Sequence, residues 1–180
     1  MYKMTECRFK KNNDLNFGDK NEKKLLEFFK MKDIHKGIRK RKYKMAILDY
    51  YIMDKKKERV IHDLELKSRR YKFKDLKDVC FGLNKYETSI ERLNKYNIAQ
   101  TYYFLFIDGL YKWELTDPIE QEKEIRRGMI ANKARNGKPH PAIFVKNYNL
   151  ELVDKNLSSQ EQSFSDDDSD FLPDTDEEDN

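Results

Sequence analysis

Two neighbouring stretches decide the fold of this chain: Ile47-Leu-Asp49-Tyr-Tyr-Ile-Met53 and, after a charged turn, Val60-Ile-His-Asp63-Leu-Glu65-Leu-Lys67-Ser-Arg69-Arg70. The first is apolar almost throughout, which is typical of a strand covered on both faces. Side chains alternate along a strand, so the second stretch puts its acidic residues and Lys67 on one face and its leucines on the other. We therefore predict a β-hairpin with strands at 45–53 and 59–68.

The hairpin brings Asp49 close to the charged face of the second strand. With a five-residue turn between the strands, Asp49 falls across from Asp63 or one diagonal step from Glu65. An unpaired carboxylate inside an apolar strand is costly, so Asp49 needs a partner. That partner is either a cation shared with Glu65 or an ion pair with Lys67 or Arg69, and the sequence leaves both open.

Charge is distributed unevenly along the chain. Residues 1–154 contain 36 basic and 23 acidic residues, a net charge of +13, whereas 155–180 contain one basic and ten acidic residues. A basic body favours a polyanionic partner such as nucleic acid, although a lysine-rich solubilising surface has the same composition. We predict one domain at 1–154 and a disordered acidic tail at 155–180, because the tail is poor in apolar residues.

Several protein classes are disfavoured by composition. Cys7 and Cys80 are too few for a disulfide framework or a zinc knuckle. No apolar run reaches the roughly 18 residues needed to cross a bilayer, and the N-terminus lacks the apolar core of a secretory signal. We expect an intracellular protein in a reducing compartment, cytoplasmic or nuclear, with no membrane association.

The rest of the pattern places helices around further strands. Residues 1–15 are expected to be loosely held, and a helix capped by Asp19 or Asn21 follows and ends near Lys32. A short strand within 32–44 and a long helix at 73–96 are expected on either side of the hairpin. Strands at 101–107 and 110–115 flank the turn at Asp108-Gly109, and a helical segment after Asp117-Pro118 and a last strand at 142–153 complete the pattern. This order predicts an α/β fold in which helices flank a mixed central sheet.

Two carboxylates and an ammonium group at one place suit phosphodiester hydrolysis. A divalent cation held by Asp49 and Glu65 lowers the pKa of bound water and offsets the charge that builds on the phosphorane. Mg²⁺ or Mn²⁺ takes oxygen ligands, and the Leu66 carbonyl offers a third. Lys67 stays protonated beside two carboxylates, which suits it to orient water or stabilise the transition state. Asp63 is either a substitute for Asp49 as ligand, a carboxylate beside the ligands that does not bind the cation itself, or a solvated residue.

The order of these residues resembles the PD-(D/E)XK nuclease superfamily, which includes many restriction endonucleases, phage exonucleases and Holliday-junction resolvases. Members have a core of helix, three strands, helix and strand, with an aspartate in the second strand and Glu-x-Lys in the third. Asp49 matches the first motif, and Glu65 and Lys67 match the second. Leu48 replaces a proline that members often lack. The resemblance covers about 17–115 and implies a restriction endonuclease-like core.

The resemblance also implies further site residues. Many members carry a catalytic acid on the first helix, for which Glu22 is preferred to Glu27 because Glu27 lies between Leu26 and Phe28. Either glutamate is otherwise an ordinary surface carboxylate. The exonuclease-like branch carries a polar residue on the helix after Glu-x-Lys, and Lys85 is similar unless it is simply an exposed helical lysine.

Basic residues surround the expected site and are predicted to contact DNA phosphates, which gives affinity without sequence information. The expected contacts are Arg39, Lys40, Arg41, Lys42, Arg69, Arg70, Lys72 and Lys85, with a further cluster at Lys133, Arg135 and Lys138. The acidic tail at 161–180 is expected to dock a basic partner or the DNA groove of its own chain, with simple solubilisation as the alternative.

Together these features predict a Mg²⁺- or Mn²⁺-dependent deoxyribonuclease, an endonuclease of DNA replication, recombination or repair. The lysine- and asparagine-rich composition favours a viral or phage origin. One alternative is a catalytically inactive nucleic-acid-binding or scaffold protein with the same fold. Another is an interaction protein that assembles through its basic body and acidic tail. A homodimer is compatible with each of these hypotheses.

Overall fold

A computed structural model describes residues 3–42, 48–131 and 139–159, with side chains from residue 16 onward except at 131. Three groups of predictions therefore lie outside the described residues: the strand at 45–47, the basic cluster at Lys133, Arg135 and Lys138, and the tail beyond Ser159. All other predicted positions of the site can be placed.

The described elements alternate between helices and strands. In chain order they are α1 (Lys3–Met31), β1 (Ile38–Lys40), β2 (Tyr50–Asp54), β3 (Arg59–Ser68), a 3-10 turn (Phe73–Asp75), β4 (Asp78–Gly82), α2 (Leu83–Tyr96), β5 (Ala99–Phe106), β6 (Gly109–Leu115), α3 (Pro118–Glu122), β7 (Ile125–Ala131), β8 (Pro139–Lys146), a second 3-10 turn (Asn147–Asn149) and β9 (Glu151–Asp154).

The strands form two sheets. The larger has the order β1-β2-β3-β5-β6-β9, and the smaller has the order β4-β8-β7. β3 and β5 are parallel, whereas the other neighbouring pairs are antiparallel. Parallel neighbours need a long crossover connection, which here contains β4 and α2. The prediction of an α/β fold with a mixed sheet and flanking helices is therefore confirmed.

The core lies on both faces of the larger sheet, and β5 contributes to each. Tyr103 and Leu105 pack with Phe29 and other apolar residues of α1. Tyr102 and Phe104, which alternate with them, pack with the smaller sheet and α2. Burying each of these large side chains stabilises the fold by about 1.5–3 kcal/mol. β3 is held between these two layers, so its charged face points toward α2.

The predicted hairpin forms, but its first strand is shorter than expected. β2 begins at Tyr50, so Asp49 lies in a bend just before the strand and not inside it. The register shifts at an irregularity after Ile52, and Tyr50 pairs with Leu64. The extra residue of such a bulge moves the chain by one position. Asp49 consequently arrives at the level of Glu65.

α1 begins earlier than predicted. It starts at Lys3, so the predicted caps Asp19 and Asn21 lie inside the helix, and the predicted helix start near residue 19 is wrong. Asn21 is fully buried, and its side-chain amide donates to the Phe17 carbonyl one turn earlier, at 3.0 Å. Although α1 is long, no helix in the described ranges is both long enough and apolar enough to cross a membrane.

The long helix predicted at 73–96 is wrong in its first half, where β4 replaces it. Val79 and Phe81 are both buried, which is the period of two that a strand requires. Their burial comes from antiparallel pairing of β4 with β8. Helical spacing of the apolar residues before Leu83 is therefore coincidental, because tertiary pairing overrides the local pattern.

The C-terminal predictions also need correction. The helix after Asp117 lasts only to Glu122, although Asp117 caps it as expected by accepting from the Ile119 amide at 3.0 Å. The chain then enters β7, an edge strand of the smaller sheet, where exposed Arg126 and Arg127 are typical of a protected edge. The last predicted strand is divided by a 3-10 turn into β8 and β9.

Candidate active site

The candidate site lies where β2 and β3 separate. β3 pairs with β2 as far as Leu64, whereas it pairs with β5 as far as Ser68. Within the described part of the chain, residues 65–68 thus have a strand neighbour on one side only. A groove of about 560 Å³ runs along this open edge and is bordered by α1 and by Leu66. Its charged lining consists of Asp19, Glu22, Lys40, Asp49, Lys67, Arg69 and Arg70.

Glu65 is fully buried beside this edge. Its Oε1 atom accepts from the ammonium groups of Lys67 at 2.6 Å and Lys85 at 2.5 Å. Its Oε2 atom is buried and has no hydrogen-bond partner among the described residues. Since a buried carboxylate oxygen without a partner is costly, Oε2 fits the role of a ligand to a cation.

Opposing effects act on the Glu65 carboxyl group. Burial raises its pKa above the ordinary value because the protein interior disfavours the negative charge. Lys67 and Lys85 lower that pKa, while the negative charge of the nearby Asp49 carboxyl raises it. Positive charge placed beside both carboxyl groups favours their ionised forms. The Asp49 and Glu65 carboxylates are therefore suited to bind a cation.

Lys85 connects the two acidic residues. Its Nζ atom lies 2.5 Å from Glu65 Oε1 and 3.7 Å from Asp49 Oδ1, so those two oxygens are no more than about 6 Å apart. Lys85 extends from the first turn of α2, the helix that covers this face of β3. Its side chain is only 18% exposed, so its interpretation as a freely exposed lysine is wrong. Asp49, Glu65, Lys67 and Lys85 thus meet at one place.

Glu22 borders the same groove from α1. It is half-buried, accepts a hydrogen bond from the Tyr50 hydroxyl, and pairs with Lys40 at 2.9 Å. Tyr50 follows Asp49 directly, which fixes Glu22 beside the start of β2. Glu27 is exposed one and a half turns further along α1 and is absent from the groove lining. Of the two helix glutamates, Glu22 is therefore the one that faces the site.

Asp63 lies on the same face of β3 as Glu65 but has a different environment. It is fully buried and pairs with both Arg41 and Arg92, and Gln100 lies 3.3 Å from its carboxylate. Two guanidinium groups neutralise it, so the prediction of a solvated neighbour is wrong and a role as substitute ligand is not supported. Arg41 also lies over the Tyr51 ring, 5.1 Å from its centroid. Arg41, predicted as a DNA contact, thus has a structural role.

The other predicted DNA contacts divide into two groups. Lys40, Arg69 and Arg70 line the groove, and the Arg70 guanidinium lies 4.3 Å from the centroid of the Phe17 ring. Arg39, Lys42 and Lys72 are exposed outside the groove lining. The groove therefore carries a basic side along the end of β3, whereas the remaining cations form a wider surface.

Two histidines form a half-buried cluster that the sequence pattern gave no reason to single out. The rings of His35 and His62 lie 5.0 Å apart, and His35 Nε2 shares a hydrogen bond with the Tyr103 hydroxyl at 2.6 Å. Burial lowers the pKa of His35 to about 4, so it is neutral at physiological pH. His62 shares a hydrogen bond with the Thr101 hydroxyl at 2.8 Å. Their contacts join α1, β3 and β5 and assign them to packing.

The ligand set at this site is small. Among the described residues, no three His, Cys, Asp or Glu side chains form a group that could hold a metal. A cation here would take Asp49 and Glu65 with main-chain and water oxygens, which suits Mg²⁺ because that ion keeps several waters. No family model, curated protein or solved structure matches the chain. Function is therefore inferred from the chemistry of the site.

Proposed function

We propose that this protein is a Mg²⁺- or Mn²⁺-dependent nuclease that hydrolyses phosphodiester bonds in DNA. One observation carries the proposal: the buried Glu65 carboxylate, which faces Asp49, has an oxygen with no hydrogen-bond partner among the described residues, and it lies next to a groove with a basic side. Buried polar atoms of folded proteins usually have a partner, and a cation bound at Oε2 would supply one for Glu65.

The order of elements supports a core of the PD-(D/E)XK type. α1, β1, β2, β3, α2 and β5 follow one another as helix, three strands, helix and strand, with β4 inserted before α2. Asp49 stands just before the second of those strands, and Glu65 and Lys67 stand in the third. Glu65 and Lys67 thus match the Glu-x-Lys position of the superfamily, and Asp49 lies one residue before the strand that carries its aspartate.

In this proposal, Asp49 and Glu65 hold the divalent cation, and the main chain at Leu66 borders the same place. The bound cation supplies an activated water and charge stabilisation for the phosphorane. Lys67 keeps its ammonium group beside Glu65, where it orients the attacking water or stabilises negative charge in the transition state. Lys85 fixes the relative position of the two carboxylates from the opposite element, α2.

The groove favours a nucleic-acid substrate. Lys40, Arg69 and Arg70 lie along it within the same cavity as Asp49, so phosphates bound to these cations would be held next to the carboxylates. Such contacts position a backbone without reading its sequence. The net charge of +13 on residues 1–154 adds a longer-range attraction for a polyanion.

A cleavage assay tests the proposal on the full-length protein. We expect cleavage of plasmid, single-stranded, flapped or four-way DNA with Mg²⁺ or Mn²⁺, and none with EDTA. Lys67→Ala should lower the rate by at least about 100-fold, because one electrostatic contact to the transition state is lost. Lys57→Ala, in the exposed turn between β2 and β3, is the matched control and should cleave normally.

Three outcomes would count against this assignment. Cleavage that persists in EDTA, or that is equal in Lys67→Ala and Lys57→Ala, contradicts the catalytic site. Tight DNA binding with no cleavage of any substrate favours the inactive binding or scaffold alternative. Preferential cleavage of a matched RNA would move the substrate class from DNA to RNA.

A further inference from the structure

The last described residues return to the body and end beside the groove. Ser159 is buried, its main-chain amide donates to the Phe106 carbonyl at 2.7 Å, and its hydroxyl donates to the Arg69 carbonyl at 2.7 Å. Arg69 lines the groove. The C-terminal segment therefore leaves the folded body from a fixed point on the groove rim.

Neighbouring contacts strengthen this attachment. Lys24 of α1 donates to the Ser158 carbonyl at 2.6 Å, and Leu157 packs against the apolar cluster between α1 and the sheet. α1 also borders the groove through Phe17 and Glu22. Residues 157–159 are thus held between α1 and the end of β3, both of which border the groove. The point from which residue 160 continues is therefore fixed.

The residues that follow are opposite in charge to the folded body and to the basic side of the groove, which also carries Asp19, Glu22 and Asp49. Residues 160–180 contain ten acidic and no basic residues, whereas residues 1–159 have a net charge of +14. Asp166–Asp168 begins seven residues after Ser159, a span of at most about 25 Å when extended. Lys67 lies in β3 and is two positions before Arg69, which directly follows that strand, so the two are about 7 Å apart. The acidic run is therefore long enough to reach both Arg69 and Lys67.

We propose that residues 160–180 dock in the basic groove of their own chain and compete there with nucleic-acid phosphates. The fixed starting point gives these acids a local concentration in the millimolar range, far above that of a separate ligand. Competition between two polyanions for the same cations weakens as salt is added. The effect on DNA rests on the proposed function, whereas the contact between tail and groove does not.

DNA affinity provides the first test. The full-length variant with Asp166, Asp167, Asp168 and Asp170 all changed to Asn is compared with wild type by fluorescence anisotropy, in EDTA and about 50 mM salt. We expect at least about fivefold tighter binding, and a smaller difference in about 300 mM salt. The matched control changes four exposed acids away from the groove: Asp33→Asn, Glu58→Gln, Glu120→Gln and Glu124→Gln. An equal gain in both variants would show a net-charge effect and overturn the proposal.

Carbodiimide crosslinking provides a test that needs no DNA. Mass spectrometry of the monomer should find tail carboxylates joined to Lys40 or Lys67 in preference to the exposed control lysines Lys57 and Lys123. Even labelling of all four lysines, or crosslinks only between two molecules, overturns the proposal. Crosslinks to groove lysines without DNA binding would support the tail contact and reject the nuclease proposal. DNA cleavage without such crosslinks, and without a change in DNA affinity in the tail variant, would support the nuclease proposal and reject the tail contact.

Discussion

Replacing Glu65 with Gln should abolish DNA cleavage, with a loss of at least about 1,000-fold in the single-turnover rate. This corresponds to about 4 kcal/mol in activation free energy. The substitution keeps the volume of the side chain but removes the negative charge that Asp49 and Glu65 together offer to a cation. An amide nitrogen at the position of Oε2 would also repel the cation that this oxygen is proposed to bind.

The control for this prediction is Glu58→Gln, which makes the same chemical change in the exposed turn between β2 and β3. It should cleave at the wild-type rate. Thermal unfolding of both variants checks that the fold is kept; Lys67 and Lys85, both partly exposed, can turn toward water when Glu65 loses its charge. A Glu65→Gln protein that retains more than a tenth of the wild-type rate would contradict the proposed role of Glu65.

The second large effect concerns stability. Asp63→Asn should lower the free energy of unfolding by about 3 kcal/mol, because it leaves Arg41 and Arg92 without the buried carboxylate that neutralises both. Chemical denaturation measures this change. Asp33→Asn is the matched control, since it removes an exposed ion pair with Lys36 and should cost less than about 0.5 kcal/mol. A loss below about 1 kcal/mol for Asp63→Asn would show that the two arginines do not depend on it.

Asp63 and Asp49 are both candidate ligands in the sequence, but their surroundings in the structure differ. Alternation along β3 correctly puts Asp63 on the face of Glu65 and Lys67. It cannot reveal that Arg41 and Arg92 enclose Asp63, because those partners come from before β2 and from α2. Long-range contacts thus distinguish a structural carboxylate from a candidate ligand.

The grouping of the site was predictable because it depends mostly on local rules. Strand alternation and a short turn were enough to bring Asp49 near Glu65. The final register was not predictable, since it depends on the irregularity after Ile52, which no residue type marks. Without that shift, the pairing of Met53 with Val60 would continue to place Asp49 opposite Leu64 and not opposite Glu65.

The helix predicted at 73–96 is wrong in its first half for a different physical reason. Apolar residues there match a helical period, but Val79 and Phe81 are buried by β8, a strand more than sixty residues away in the chain. Pairing with a distant strand outweighed the local pattern. The second half of the prediction was correct, and it is this half, α2, that delivers Lys85 to the site.

Mn²⁺ binding measured by electron paramagnetic resonance, without DNA, tests the central claim most directly. We expect one site in the wild type that weakens at least about tenfold in Asp49→Asn and in Glu65→Gln, because each removes one of two anionic ligands. Asp63→Asn, studied where it remains folded, and Glu58→Gln should bind as the wild type does. Equal Mn²⁺ affinity in all five proteins would contradict the claim that Asp49 and Glu65 together hold a divalent cation.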